Sequence, residues 1–226
     1  MIRLVFSPKW FFGIDIIFEA FFVLIALLIS FYGYKIFRVS RSKEHRHFSL
    51  AFLFIALSFI FKITTNFDIY YNVFRTLRLG KTTVTFSYIY SSEILHIAGL
   101  FLFKLFLTVA FFTLFLLTDR RHSKKDVYLT LYLIFISTLF SISAYYVFHL
   151  TLSIILLFIV KHFFENYKRS PKRSKFIVFF SFLMLFLSQL AFMLIFLALE
   201  FYVVGEILML VGYSALLYNF LAVLRK

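Results

Sequence analysis

Nine ionisable side chains sit in or at the edge of stretches otherwise built from Phe, Leu, Ile and Val: Asp15, Glu19, Lys62, Glu93, His96, Lys104, His149, Glu200 and Glu206. Asp15 and Glu19 are four residues apart and Glu93 and His96 three, so each pair projects from one side of a helix. Lys104 lies about eleven residues into the apolar run Glu93–Leu117, or ~16 Å at the helical rise, close to the middle of a bilayer. An ionised group at that depth costs about 2.5–3.5 kcal/mol and needs a partner or water. Three kinds of chemistry suit such a set: internal ion pairs, a polar ligand pocket, or a divalent-ion site.

Depth alone suggests partners. Glu19 and Lys104 lie at similar depths and are expected to pair, with Asp15 and His96 forming a second layer nearer the surface. Glu206 and Lys62 are expected to meet at the rim, where His149 and Glu200 also belong. Asp15, Glu19, Glu93, His96, Lys104 and Glu206 are therefore the candidate ligand-binding residues, with Lys62, His149 and Glu200 around them. Asp15, Glu19, Glu93, His96 and His149 offer oxygen and imidazole donors for a metal, but Lys104 opposes a cation, and neither metal nor cofactor is expected. No HExxH, GxSxG or cysteine nucleophile is present, so no catalytic residue is assigned and an enzyme is not favoured.

The elements that must carry these groups are membrane helices. The chain is 63% hydrophobic and 23% aromatic over 226 residues, which fits lipid rather than water as the surrounding solvent. Its net charge of +14 comes from short clusters between apolar runs rather than from one soluble face, which argues against nucleic acid. The expected spans are 10–34, 48–66, 93–117, 127–146, 148–165, 176–198 and 202–223. Residues 67–92 are read as an extracytoplasmic cap, with Tyr70–Leu77 at helical spacing, Gly80 as a stop and Thr82–Phe86 alternating like a strand. The run Val127–Val160 carries no formal charge and fits one long helix or two short ones. Two short ones place all three basic loops on one face, as the positive-inside rule requires, and 17 of the 24 Lys and Arg then lie inside. The reading is an all-α, polytopic seven-helix bundle, N-terminus outside and C-terminus inside, in the cell membrane. Its basic loops meet anionic headgroups, and a separate cytoplasmic or membrane protein would receive any signal.

Phe18–Ser58 aligned without a gap on Phe148–Ser188 matches nine of 41 positions, which suggests two three-span repeats around a lone fourth helix. Small sugar carriers share that plan. Their intramembrane prolines have no counterpart here, where the two prolines are Pro8 and Pro171. In the last span, Gly205, Gly212 and Asn219 recur every seven residues, a spacing that lets another helix approach closely.

The stretch YVVGEILMLVGYSALL, Tyr202–Leu217, resembles the last span of small uncharacterised prokaryotic seven-helix membrane proteins of archaeal type. That resemblance implies the helical plan and brings no activity with it. Span 7 has no lysine for a retinal Schiff base. A polar outer half above an apolar inner half is what a seven-helix sensor needs. A carrier and a structural subunit are the alternatives.

Overall fold

The computed structural model describes residues 7–11, 13–78, 85–118 and 124–224, with the side chains of 9, 67–95, 124, 126 and 224 outside that description. The described residues form seven helices and no strand: α1 (Ile14–Ser40), α2 (Lys43–Arg78), α3 (Thr85–Thr118), α4 (Lys124–Phe140), α5 (Tyr145–Arg169), α6 (Arg173–Met193) and α7 (Glu200–Leu224). Six of them are long and apolar enough to cross a membrane, and Val127–Phe140 is a shorter apolar helix. The protein is a multi-pass helical membrane bundle. The outward side chains of α1, among them Ile17, Phe21, Leu24 and Phe31, are exposed and apolar, as a lipid-facing surface requires.

Two boundaries differ from the sequence expectation. Residues 67–78 continue α2 without a break, so the helical spacing over Tyr70–Leu77 belongs to α2 itself, and Thr85 and Phe86 already belong to α3. No proline or glycine interrupts Phe48–Leu79, and extending a formed helix is easier than ending it and nucleating another. Gly80 and Thr82–Val84 lie outside the described residues. The break in the uncharged run falls at residues 141–144, earlier than expected. There the Ser141 hydroxyl donates back to Thr138 O at 2.6 Å, the kind of local bond with which serine competes against helix continuation.

The long helices pack in sequence and close on themselves: α1 on α2, α2 on α3, α3 on α5, α5 on α6, α6 on α7 and α7 on α1. α4 stands outside this ring against α3 and α5. Directions follow from paired contacts. Phe103 meets Phe148 and Phe115 meets Phe158, so α3 and α5 run parallel. Phe22 meets Tyr213 and Tyr32 meets Phe220, so α1 and α7 do too. Because α3 and α5 are parallel, α4 must carry the chain back between them. That return gives the seventh pass and puts the C-terminal ends of α1, α3, α5 and α7, with the basic loops that follow the first three, at one end of the bundle.

A half-turn of the ring maps α1, α2 and α3 onto α5, α6 and α7. The buried positions keep the 130-residue register of the sequence repeat. Glu19, Phe22, Ala26, Ile29 and Ser30 are buried on α1, and so are His149, Leu152, Leu156, Ile159 and Val160 on α5. On α2, Ala51, Phe52, Ile55, Ser58 and Phe59 correspond to buried Ser181, Phe182, Leu185, Ser188 and Gln189 on α6. Ser58 and Ser188 even make the same local bond, each hydroxyl donating at 2.7 Å to the carbonyl three residues back.

Small residues set the closest approaches. Ser30 and Ser49 donate reciprocally to each other's carbonyls at 2.9 and 2.8 Å where α1 crosses α2. A β-carbon at Gly212 would lie 3.0 Å from both Leu185 and the Ser181 carbonyl, and one at Gly205 would lie 2.5 Å from the Phe192 ring. The seven-residue spacing on α7 is thus a seam against α6.

Candidate functional site

The charged groups gather inside the ring near the end opposite the basic loops. Lys62 on α2 stands between two carboxylates, 2.9 Å from Glu19 Oε1 on α1 and 2.7 Å from Glu206 Oε1 on α7. Both glutamates are fully buried and the lysine side chain is 12% exposed, so little water reaches the group. The Asn66 amide, one turn along α2, donates to both oxygens of Glu19 at 2.9 and 3.1 Å. The rings of Phe103 and Tyr202 lie 5.6 and 5.5 Å from the Lys62 ammonium.

Asp15 is buried one turn before Glu19, and its Oδ1 accepts the N–H groups of Gly13 and Ile16 at 3.0 and 2.9 Å. Gly13 has φ +87°, a backbone conformation open to glycine that turns the chain into α1. His96 is buried on α3, and Glu200 is exposed at the start of α7. Glu93 lies outside the described side chains.

Lys104 does not reach Glu19. Its ammonium donates at 2.8 Å to Ser141 O, in the turn after α4, and sits 5.8 Å from the Phe148 ring. The expected pairing fails for a geometrical reason: α2 lies between α1 and α3 in the ring, so its own lysine is the cation nearest to Glu19. Lys104 instead neutralises carbonyl charge at a helix end, a favourable place for a cation. The Lys62–Glu206 contact forms as expected, though within the ring rather than at its rim. His149 is likewise interior, its Nδ1 sharing a hydrogen bond of 2.8 Å with Gln189 Oε1. Each half of the ring therefore ties a titratable side chain on its first helix to an amide on its second, Glu19 to Asn66 and His149 to Gln189.

Asn66, Gln189 and Ser141 were not singled out from the sequence. Asn66 carried a usable signal, since it follows Lys62 by four residues and shares its helical face.

Below the charged group, a chain of aromatic side chains passes from helix to helix around the ring. Tyr213 lies 5.4 Å from Phe22, Phe22 5.0 Å from Phe59, Phe59 6.0 Å from Phe103 and Phe103 5.7 Å from Phe148. Beyond it, toward the basic loops, is a cavity of about 300 Å³ lined by Ile29, Phe52, Leu114, Phe163, Phe182 and Leu216, with Asn219, His162 and Thr118 as polar groups. All six ring helices contribute to its wall. This space lies in the half expected from the sequence to be apolar, and its wall is mostly apolar. Among the described residues, no three His, Cys, Asp or Glu side chains are grouped to hold a metal ion.

Comparison with known protein families, curated proteins and solved structures finds no match to this chain. The functional reading therefore stands on geometry.

Proposed function

We propose that this membrane protein is a small-solute carrier in which α1–α3 and α5–α7 move against each other, with its basic loops facing anionic headgroups on the cytoplasmic side of the cell membrane. The observation that carries the reading is the sequence of layers along the ring axis. A buried charged group, an aromatic layer running from α7 through α1, α2 and α3 to α5, and a cavity bounded by all six ring helices follow one another from end to end. A carrier holding its central path closed on one side and open on the other has this arrangement. Contacts between the halves sit in the aromatic layer, where Phe22 meets Tyr213 and Phe103 meets Phe148, and at both ends: Phe11 against Tyr202 and Lys62 against Glu206 at one, Tyr32 and Phe48 against Phe220 at the other. Either end set can hold the halves together while the other parts.

The sequence has no cysteine, so introduced thiols report without background. Val39→Cys and Arg169→Cys, exposed at the basic ends of α1 and α5 in opposite halves, should draw that end closed when joined by a thiol cross-linker shorter than their separation in this structure. A third thiol at Phe11, now buried against Tyr202, should then react faster with a membrane-impermeant reagent applied from its own side. Unchanged reactivity at that position after cross-linking would remove the carrier reading.

A further inference from the structure

We propose that Glu206 is a proton-binding site, and that its proton controls the tie between the two halves; the second part rests on the carrier reading. Glu206 is fully buried, and only one of its carboxyl oxygens is used. Oε1 accepts from Lys62, while Oε2 is buried with no hydrogen-bond partner. Glu19 differs: its two oxygens share three donor contacts, two from Asn66 and one from Lys62, which suits an ionised carboxylate. One ammonium thus faces two carboxylates in a site walled by Phe103 and Tyr202. An uncompensated buried carboxylate is strongly disfavoured, so one more positive charge has to enter.

Donor count decides which charge that is. A calcium-like cation takes about six to eight oxygens, whereas Glu206 Oε2 is the oxygen of this trio left open. A single proton turns the carboxylate into a neutral acid and removes the surplus charge without a set of ligands. The titratable groups on the surrounding helices are Asp15 and Glu19 on α1, Lys62 on α2, His96 and Lys104 on α3, Tyr145 and His149 on α5, and Tyr202 and Tyr213 on α7. Among them Lys62 is the cation in contact with Glu206; Lys104 is turned to Ser141, and the His149 ring is held by Gln189.

The position of the proton has a mechanical consequence. Lys62 belongs to the first half of the ring and Glu206 to the second. With Glu206 ionised, a charged bridge joins the halves. When Glu206 takes a proton, Lys62 is left with Glu19 as a one-to-one pair inside the first half. The contact between halves then falls to that of a neutral acid with an ammonium, so acid should loosen the end that holds Glu206.

The test uses the full chain in lipid nanodiscs and two readouts. Infrared spectra should contain the carbonyl stretch of a protonated carboxyl group at the high-frequency end, shifted in deuterium oxide and lost in Glu206→Gln. That variant resembles the protonated form in shape and charge and should fold. A wild-type spectrum without the band, or a band that survives Glu206→Gln, overturns the proton site. The second readout is the reaction rate of a single thiol at Phe11→Cys, which should rise as pH falls in the wild-type background. In Glu206→Gln it should be high and independent of pH. A band accompanied by a thiol rate that does not respond to pH overturns the coupling. Because the band is read without any motion, failure of the proton site is distinguished from failure of the carrier reading.

Discussion

Lys62→Met should lower the stability of the folded protein in detergent by about 3–5 kcal/mol, the usual result of stranding buried charge by removing its partner. The effect is expected to be large because one lysine serves two fully buried carboxylates at 2.9 and 2.7 Å. Replacing the whole group, with Glu19→Gln and Glu206→Gln added to Lys62→Met, should recover most of the loss, since no charge then remains to be compensated. The sign of the pH dependence follows from the same charges. Protonating the stranded carboxylates removes the penalty, so the deficit of Lys62→Met should shrink as pH falls and be largest in alkali. Thermal unfolding of the single and triple variants across a pH series checks both points. A single variant as stable as the parent would mean that the ion group contributes nothing to holding the ring closed.

Gly205→Val should cost about 3 kcal/mol, toward the upper end of the usual cost of overpacking. The added β-carbon would fall 2.5 Å from the Phe192 ring, so something must move. That ring cannot easily give way, because it is packed on His149 at 5.2 Å and on Tyr202 at 5.7 Å between centroids. The neighbouring residue in the chain is Glu206, so displacing α7 also disturbs the ion group. Adding Phe192→Leu should restore part of the stability by making room. A loss that Phe192→Leu leaves unchanged would place the strain elsewhere than at this contact.

The helical plan was legible because lipid makes simple demands. Apolar stretches long enough to span, separated by basic clusters, leave few alternatives, and the positive-inside argument chose two helices for Val127–Val160 before the parallel course of α3 and α5 required a return pass. The repeat was legible for a related reason. Both halves bury the same helical faces, and matches such as Ile29 with Ile159 and Phe52 with Phe182 fall on those faces. Which charges meet was only partly legible. Sequence gives depth along a helix, and depth correctly joined Lys62 to Glu206. It does not give the order of helices around a ring, and this is why Lys104 was assigned to Glu19 when α2 stands between them. The cavity was invisible for another reason: its walls are ordinary Phe, Leu and Ile, and nothing in their identity separates a residue that lines a space from one that fills it.

The central claim is that two three-helix halves move and that Glu206 sets their balance. The distance between spin labels at Val39→Cys, on the basic end of α1, and Arg169→Cys, on the basic end of α5, tests it most directly, since both positions are exposed and belong to different halves. The account predicts two populated distances. Glu206→Gln should shift weight to the shorter one, because loosening the Lys62 tie at one end lets the cavity close at the other. A single narrow distance that Glu206→Gln leaves unchanged would contradict it and make the buried charges part of a rigid scaffold.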